Sequence, residues 1–265
     1  MSQHTEATLD DRQIPVDDIG LLDRWRHLRT DLYGNVEPRV DIVGLTCPGE
    51  IPAYPALGRP VPFMIDQDLD GCVSADVIEA QVAEAAAVST GIEPKDAAKL
   101  NRSLIRMGHL TPLEAIQFNF RVSGISKACG AQISRHRVGQ GHVSSSRRYR
   151  SQGAAFVYPL LNGVSEEAEA KDIYRAIEGG IRTTGLIYSY LRGSFASLSK
   201  GDARYVIPVS SAQERIWWIN ARALREFFRL RTHATAEAEI RRLAFMMLAL
   251  VRKITPSLFT QIDGM

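Results

Sequence analysis

The segment RHRVGQGHVSSSRRY, from Arg135 to Tyr149, holds four arginines, two histidines and three consecutive serines without one carboxylate. Like charges this close repel, so the cluster costs folding energy unless an anion sits among them. Guanidinium forks match phosphate oxygens two at a time, and serine hydroxyls with the backbone N–H groups of a glycine-rich turn complete such a cradle. Gly139 and Gly141 flank Gln140, where backbone can approach a ligand closely. The same composition also suits a solvated basic loop, or arginines paired with acids elsewhere in the chain. The segment matches none of the standard phosphate loops.

The positive excess is local. The 265 residues carry 32 basic and 30 acidic side chains, a net charge of +2. Yet no Asp or Glu lies between Glu114 and Glu166, a stretch that includes Arg121, Lys127 and Arg150 besides the four arginines. Such a distribution suits a small polyanion better than nucleic acid, which asks for a basic excess over a whole face. An RNA-binding module is the reading that Phe118, Phe120, Tyr149 and Phe156 raise, but aromatics at strand spacing are more often core than stacking platform. Cys47, Cys72 and Cys129 share no metal-ligand spacing and are odd in number, against both a zinc site and a disulfide framework. No signal peptide and no apolar run of about 18 residues is visible, so the expectation is a cytoplasmic protein without membrane or metal.

Two further groups carry chemistry. His109 and Glu114 lie in GHLTPLEAIQF, where a helix C-terminal histidine and a capping glutamate explain them equally well. Arg222, Arg225, Arg229 and Arg231 follow one another in NARALREFFRLR, and basic residues at a helix C-terminus are ordinary.

The elements that must position these residues follow from periodicity. IQFNFRV alternates as a strand with one buried face, and ERIWWIN reads as a second strand. PKDAAKLNRSLIRMGH is a helix that starts at Pro94 and closes at Gly108. NARALREFFRLR is a helix capped by Asn220. SEEAEAKDIYRAIEGGIRTTGLIYSYLRG is a helix capped by Ser165, with Gly179-Gly180 bending or interrupting it. The last helix sets Ile240, Leu243, Met247 and Leu250 on a core stripe. SADVIEAQVAEAAAVS is a further helix, capped by Ser74. Residues 1–62, with the short amphipathic piece IGLLDRWRHLRTDLYG and a proline-rich passage, read as an N-terminal arm, and residues 63–265 as one α+β domain.

Taken together, four ordered blocks resemble the flavin-dependent thymidylate synthases over roughly residues 73–260: HLTPLEA, RHR followed by a serine-rich loop and RRY, ARYVIP, and INARALREFFRLR with AEIRRLA. The resemblance implies a twisted, mainly antiparallel sheet wrapped by helices, and a homotetramer with active sites between subunits. It implies FAD contacts at Thr111, Arg135, His136 and Arg137, with Asn220 and Arg222 reaching the flavin from another subunit. Glu226 stands where the family often has a flavin-contacting Asn. Gln132, the serines Ser144, Ser145 and Ser146, Arg147, Arg148 and Arg204 correspond to the nucleotide site. Arg231 falls where the family polarises the uracil ring at N3, and His109 matches a histidine near the pteridine and flavin. The loop is one residue longer than the usual signature and has Val143-Ser144 in place of Asn-Glu; Ala115 and Thr235 each replace a histidine.

The implied reaction is C5-methylation of a uridine monophosphate, with methylenetetrahydrofolate as one-carbon donor, FAD as hydride carrier and NADPH as reductant. Cys129, in SKACGAQ, reads as a buried small residue and not as a nucleophile. The smaller side chains at Val143-Ser144 leave room for a 2′-hydroxyl. That is the expectation for the branch of the family that methylates UMP as well as dUMP in nucleoside-antibiotic pathways. An ordinary dUMP-specific enzyme and a non-catalytic nucleotide-binding flavoprotein are the competing readings.

Overall fold

The computed structural model describes residues 23–46, 75–91, 95–146, 155–260 and 262. Arg147 and Arg148, the Ser74 and Pro94 helix starts, the proline-rich passage and the boundary at residue 62 lie outside the described residues.

Four strands make one sheet, β1 (Arg39–Thr46), β2 (Gln117–Ser126), β3 (Gln140–Ser144) and β4 (Ala212–Asn220). They stand in the order β1-β2-β4-β3 and every pairing is antiparallel. The alternation in IQFNFRV does what a half-buried strand requires, since Phe118, Phe120 and Val122 are fully buried on one face. On β4 the inward set is Gln213, Arg215, Trp217 and Ile219.

Helices α7 (Ala221–Arg231), α8 (Ala238–Ile254) and α9 (Pro256–Phe259) complete the main core, with Phe227, Phe228, Leu243, Met247 and Phe259 packed on the inward side chains of the sheet. Burying each such ring contributes on the order of 1.5–3 kcal/mol relative to exposure. Met247 lies in this core, as the stripe of the last helix predicted. Asn220 caps α7 as expected, Oδ1 accepting from the Ala223 N–H at 2.8 Å. β1 is an edge strand of the same sheet, so residues 39–46 share the core of the residues after 75.

A smaller cluster holds α1 (Arg26–Arg29) against α5 (Glu167–Ser194) through Trp25, Phe156, Tyr158 and Tyr174. Among the described residues, the amphipathic piece near Trp25 forms one helical turn, Arg26–Arg29. On the longer of these helices the structure differs from expectation. Helix α5 runs unbroken through Gly179-Gly180, with Glu166 and not Ser165 at its N-cap. Both glycines are exposed, and nothing occupies the space a Cβ would take, so they cost propensity only, about 1 kcal/mol each.

Helices α2 (Ala75–Thr90) and α3 (Ala97–Arg106) precede the site-bearing turn. Asp96, two residues beyond the proline, caps α3, accepting from the Lys99 N–H at 2.8 Å. At the other end Gly108 takes φ +77°, and the N–H groups of Gly108 and His109 close on the carbonyls of Ile105 and Leu104.

Candidate active site

The basic segment does not form one loop. Helix α4 (Lys127–Ile133), capped by the Ser126 hydroxyl, ends just before Arg135-His136-Arg137, and the chain then enters β3 as a fourth strand. Gly139 and Gly141 make this turn possible in a way the sequence did not suggest. Gly139 has φ +66°, and a Cβ there would lie 2.5 Å from Asn220 Nδ2; a Cβ on Gly141 would lie 2.5 Å from Trp218 Nε1. The space beside both glycines is filled by protein side chains and not by a ligand.

Strand β3 spans about 13 Å and joins two corners that hold candidate residues. At its start Gln140 donates to the His136 carbonyl and accepts from Trp217 Nε1 (2.5 Å), fixing the turn. There His136 stands edge-on to Phe227, centroids 5.1 Å apart, and accepts from Arg231 Nε at 3.0 Å. Burial first, then the Arg231 charge, push the His136 pKa down to about 4, so the imidazole is neutral at pH 7. Since Nε2 accepts, the ring proton is on Nδ1. Arg231 keeps its two terminal nitrogens for other partners.

At the far end of β3, Ser144, Ser145 and Ser146 line a cleft of about 550 Å³ together with Lys127, Arg204 and Tyr205. Ser144 Oγ is buried without a hydrogen-bond partner. The Ser145 hydroxyl accepts from the Glu214 N–H (3.2 Å), which seats the strand end on β4. Gln132, on α4, likewise has a buried amide oxygen with no partner. Two of the predicted nucleotide residues thus carry orphaned buried oxygens, each of which costs about 1–3 kcal/mol unless a ligand or water satisfies it. That fits a polar ligand entering beside them. Lys127 and Tyr205 were missed in the sequence; Lys127 was legible as a cation of the acid-free stretch, whereas nothing marked Tyr205.

The expected flavin residues fall into separate settings. Arg135 and Arg137 are exposed and have no ion pair among the described residues. Thr111 begins a 3-10 turn, Thr111–Ala115, and is exposed beside the exposed His109. From the same turn Glu114 accepts from Arg222 Nη1 at 2.5 Å, which clips the turn to the first turn of α7. Glu226 is bound to Arg229, 2.5 Å apart, and lies within electrostatic reach of His136. Asn220 spends its oxygen on the cap and packs its amide nitrogen on Gly139. Arg222, Arg225 and Arg229 therefore have three different surroundings despite their helical spacing. Arg225 is buried and donates to the Leu258 carbonyl.

Behind the serine cleft sits a group the sequence reading overlooked. Arg215 lies on the inward face of β4 with Nη2 on the Gly130 carbonyl (3.0 Å) and Nη1 on Ser134 Oγ (3.4 Å), and its Nε has no partner. Burial lowers its pKa, and burial together with Arg215 lowers that of His142. Its place in ERIWWIN, two residues before Trp217, was the available signal. Cys129 is buried, and burial followed by the Glu239 charge raises its thiol pKa, which leaves no thiolate for nucleophilic attack. Among the described residues no group of three His, Cys, Asp or Glu side chains is placed to hold a metal, and no helix is long and apolar enough to cross a membrane.

The chain is 32% identical over 163 residues to a flavin-dependent thymidylate synthase of Nitratidesulfovibrio vulgaris, covering 59% of this chain and 64% of that one. It is 32% identical over 174 residues to the enzyme of the same name from Clostridium tetani, covering 61% and 68%. The matched region thus spans about two thirds of these relatives' own length. In three dimensions it superposes with a TM-score of 0.66 on the UMP/dUMP methylase PolB of Streptomyces cacaoi bound with 5-Br UMP. The two sequences are 23% identical, with 84% of this chain and 92% of that one covered, and PolB has also been solved with 5-Br dUMP. Residues 73–257 match the thymidylate synthase complementing protein family, and the chain belongs to that family.

Proposed function

We propose that this protein methylates C5 of a uridine monophosphate, using FAD, methylenetetrahydrofolate and NADPH. The observation that carries the reading is the serine cleft, where Ser144–Ser146 meet Arg204 and Lys127 from distant segments and no carboxylate lines the wall among the described residues. A phosphomonoester matches that lining in charge and in hydrogen-bond chemistry. Arg147 and Arg148 follow directly in the chain and add to it in this reading.

The chain's own residues divide the work. The cleft holds the phosphate end of the nucleotide, and the other end of β3 places Arg231 for the base. With its Nε fixed on neutral His136, the guanidinium presents its remaining N–H groups in one orientation, toward the charge that develops on the uracil oxygens as C5 becomes nucleophilic. Arg135, Arg137 and Thr111, with Asn220 and Arg222 from another subunit, surround the flavin, which supplies hydride transfer and the one-carbon link when bound. His109 stands at the pteridine side. No protein nucleophile is needed, which agrees with the burial of Cys129.

UMP is the substrate we favour, with dUMP beside it, in a nucleoside-antibiotic role. Ser144 replaces a larger family residue, and its unpartnered hydroxyl is a suitable neighbour for a ribose 2′-hydroxyl. The PolB structures, solved with both 5-Br UMP and 5-Br dUMP, support considering both nucleotides. A homotetramer belongs to the same proposal. Helix α5 exposes Leu186, Ile187 and Tyr190, an apolar stripe that a second copy would cover. The deciding experiment is turnover of UMP and dUMP by the purified protein with FAD, NADPH and methylenetetrahydrofolate. Methylation of either supports the reading; flavin and uridylate binding without product supports a non-catalytic binder instead. A much higher kcat/KM for dUMP makes it an ordinary thymidylate synthase.

A further inference from the structure

Away from the serine cleft, α3 and α9 border a second hollow of about 360 Å³, whose lining includes Lys99, Arg102, Arg106, Arg225, Ser257 and Thr260. The three cations of α3 stand at i, i+3 and i+7 and share one face, opposite the buried Asn101 and Leu104. None of the three has an ion pair among the described residues. Arg225, also in the lining, is buried and already engaged, donating to the Leu258 carbonyl. Glu79, the acid behind Ser257, is already engaged: its Oε1 accepts from the Ser257 N–H at 2.6 Å. Three cations along one helix face repel each other unless an anion joins them.

We propose that this hollow binds the anionic tail of a reactant, an inference that rests on the reaction proposed above. Helix α3 ends in the turn that carries His109, so the hollow extends along the same helix away from the assigned pteridine side. Lys99 to Arg106 covers about 10 Å, a row of single charges along a line. A chain of carboxylates, such as the γ-glutamyl tail of the folate, matches a row better than a point. The phosphates of NADPH share the chemistry and are the other source.

The test compares KM for mono- and pentaglutamyl methylenetetrahydrofolate, and KM for NADPH, in wild type and in the double variant Lys99→Ala, Arg102→Ala. The expected result is a wild-type KM lower for the pentaglutamyl form by about fivefold or more, the size of two exposed charge pairs. The double variant should lose that ratio with kcat and the uridylate KM unchanged. A KM increase confined to NADPH assigns the hollow to the phosphates, within the same proposal. Unchanged KM values for both reactants overturn it. Should the wild type methylate no uridylate, the parent reading fails on its own, and calorimetric titration with penta-γ-glutamate and with inorganic pyrophosphate still reads the hollow. Equal heats from wild type and variant would then reject the site.

Discussion

Arg231 donates from Nε to Nε2 of His136 at 3.0 Å, joining the last residue of α7 to the turn that leads into β3. The two are 95 positions apart, and each restrains the other. The imidazole must stay neutral to accept, and the guanidinium must keep its fork turned away from the ring. Phe227 packs on the histidine edge and shields the pair from water, which strengthens the bond and disfavours the imidazolium together.

The first prediction concerns that proton. His136 should titrate near 4 instead of its ordinary 6.5, measured by the ring C–H resonance in a pH series. Because the unfolded chain takes up the proton first, folding stability present above pH 6.5 is lost as pH falls toward 4, and levels off below that. Arg231→Gln should move the midpoint upward only in part, since burial acts before the charge. A wild-type midpoint near 6.5 would mean that neither the burial of His136 nor its contact with Arg231 persists in solution.

Arg231→Lys tests orientation against charge. The lysine keeps the positive charge but has no Nε to anchor on His136 and no planar fork. A preorganised donor of this type contributes about 3–4 kcal/mol to an oxyanion-like transition state, so kcat should fall about 100-fold or more, with a smaller change in uridylate KM. Single-turnover methylation reads the chemical step directly. A lysine variant within about threefold of wild type would show that a point charge suffices there.

What could be read in the sequence depended on what each element owes to side-chain pattern. β2 and β4 were legible because an antiparallel strand with one buried face must alternate, and IQFNFRV and ERIWWIN do. The α7 cap was legible because Asn220 has a local job. β3 was not: QGHVS has no buried face, and the strand exists through backbone pairing with β4, which leaves no trace in composition. Gly179-Gly180 misled for the opposite reason, since a local propensity cost was overridden by a 28-residue helix. At the site, residue types pointed to the serine cleft. The Arg222–Glu114 clip, the Arg225 burial and the orphaned oxygens of Gln132 and Ser144 are long-range outcomes of packing, and no spacing rule encodes them.

Ser144→Ala should separate the two nucleotides. The hydroxyl has no protein partner, so its loss should leave the apo-protein as stable as before or slightly more so. If the ribose 2′-hydroxyl is its partner, kcat/KM for UMP should drop about 5- to 10-fold, the size of one hydrogen bond, while dUMP is unaffected. Parallel assays of both nucleotides measure the ratio. Equal losses would place Ser144 on the phosphate and remove the argument for UMP.

The segment before β1 is held by charge as well as by Trp25. Asp23 accepts two hydrogen bonds of 2.5 Å from Arg29, both side chains being almost fully buried, and its Oδ2 lies 3.0 Å from Arg242 on α8. Glu37 completes the network, accepting from Arg29 at 3.2 Å and from Arg242 at 2.8 Å. Burial alone would raise the Glu37 pKa, but the bonds and charges of Arg242 and Arg29 hold it below 4.5. Its contribution is therefore present above pH 4.5 and lost as pH falls through its lowered value. Asp23→Asn leaves two guanidinium groups to one carboxylate and should cost about 3–5 kcal/mol in urea unfolding. Replacing the pair together, Asp23→Leu with Arg29→Met, should recover much of that loss, because two desolvated charges give way to apolar packing. If Asp23→Asn unfolds at the wild-type midpoint, the network does not fasten residues 23–37 to α8, and the apolar cluster around Trp25 with the backbone bonds to Phe156 must hold them.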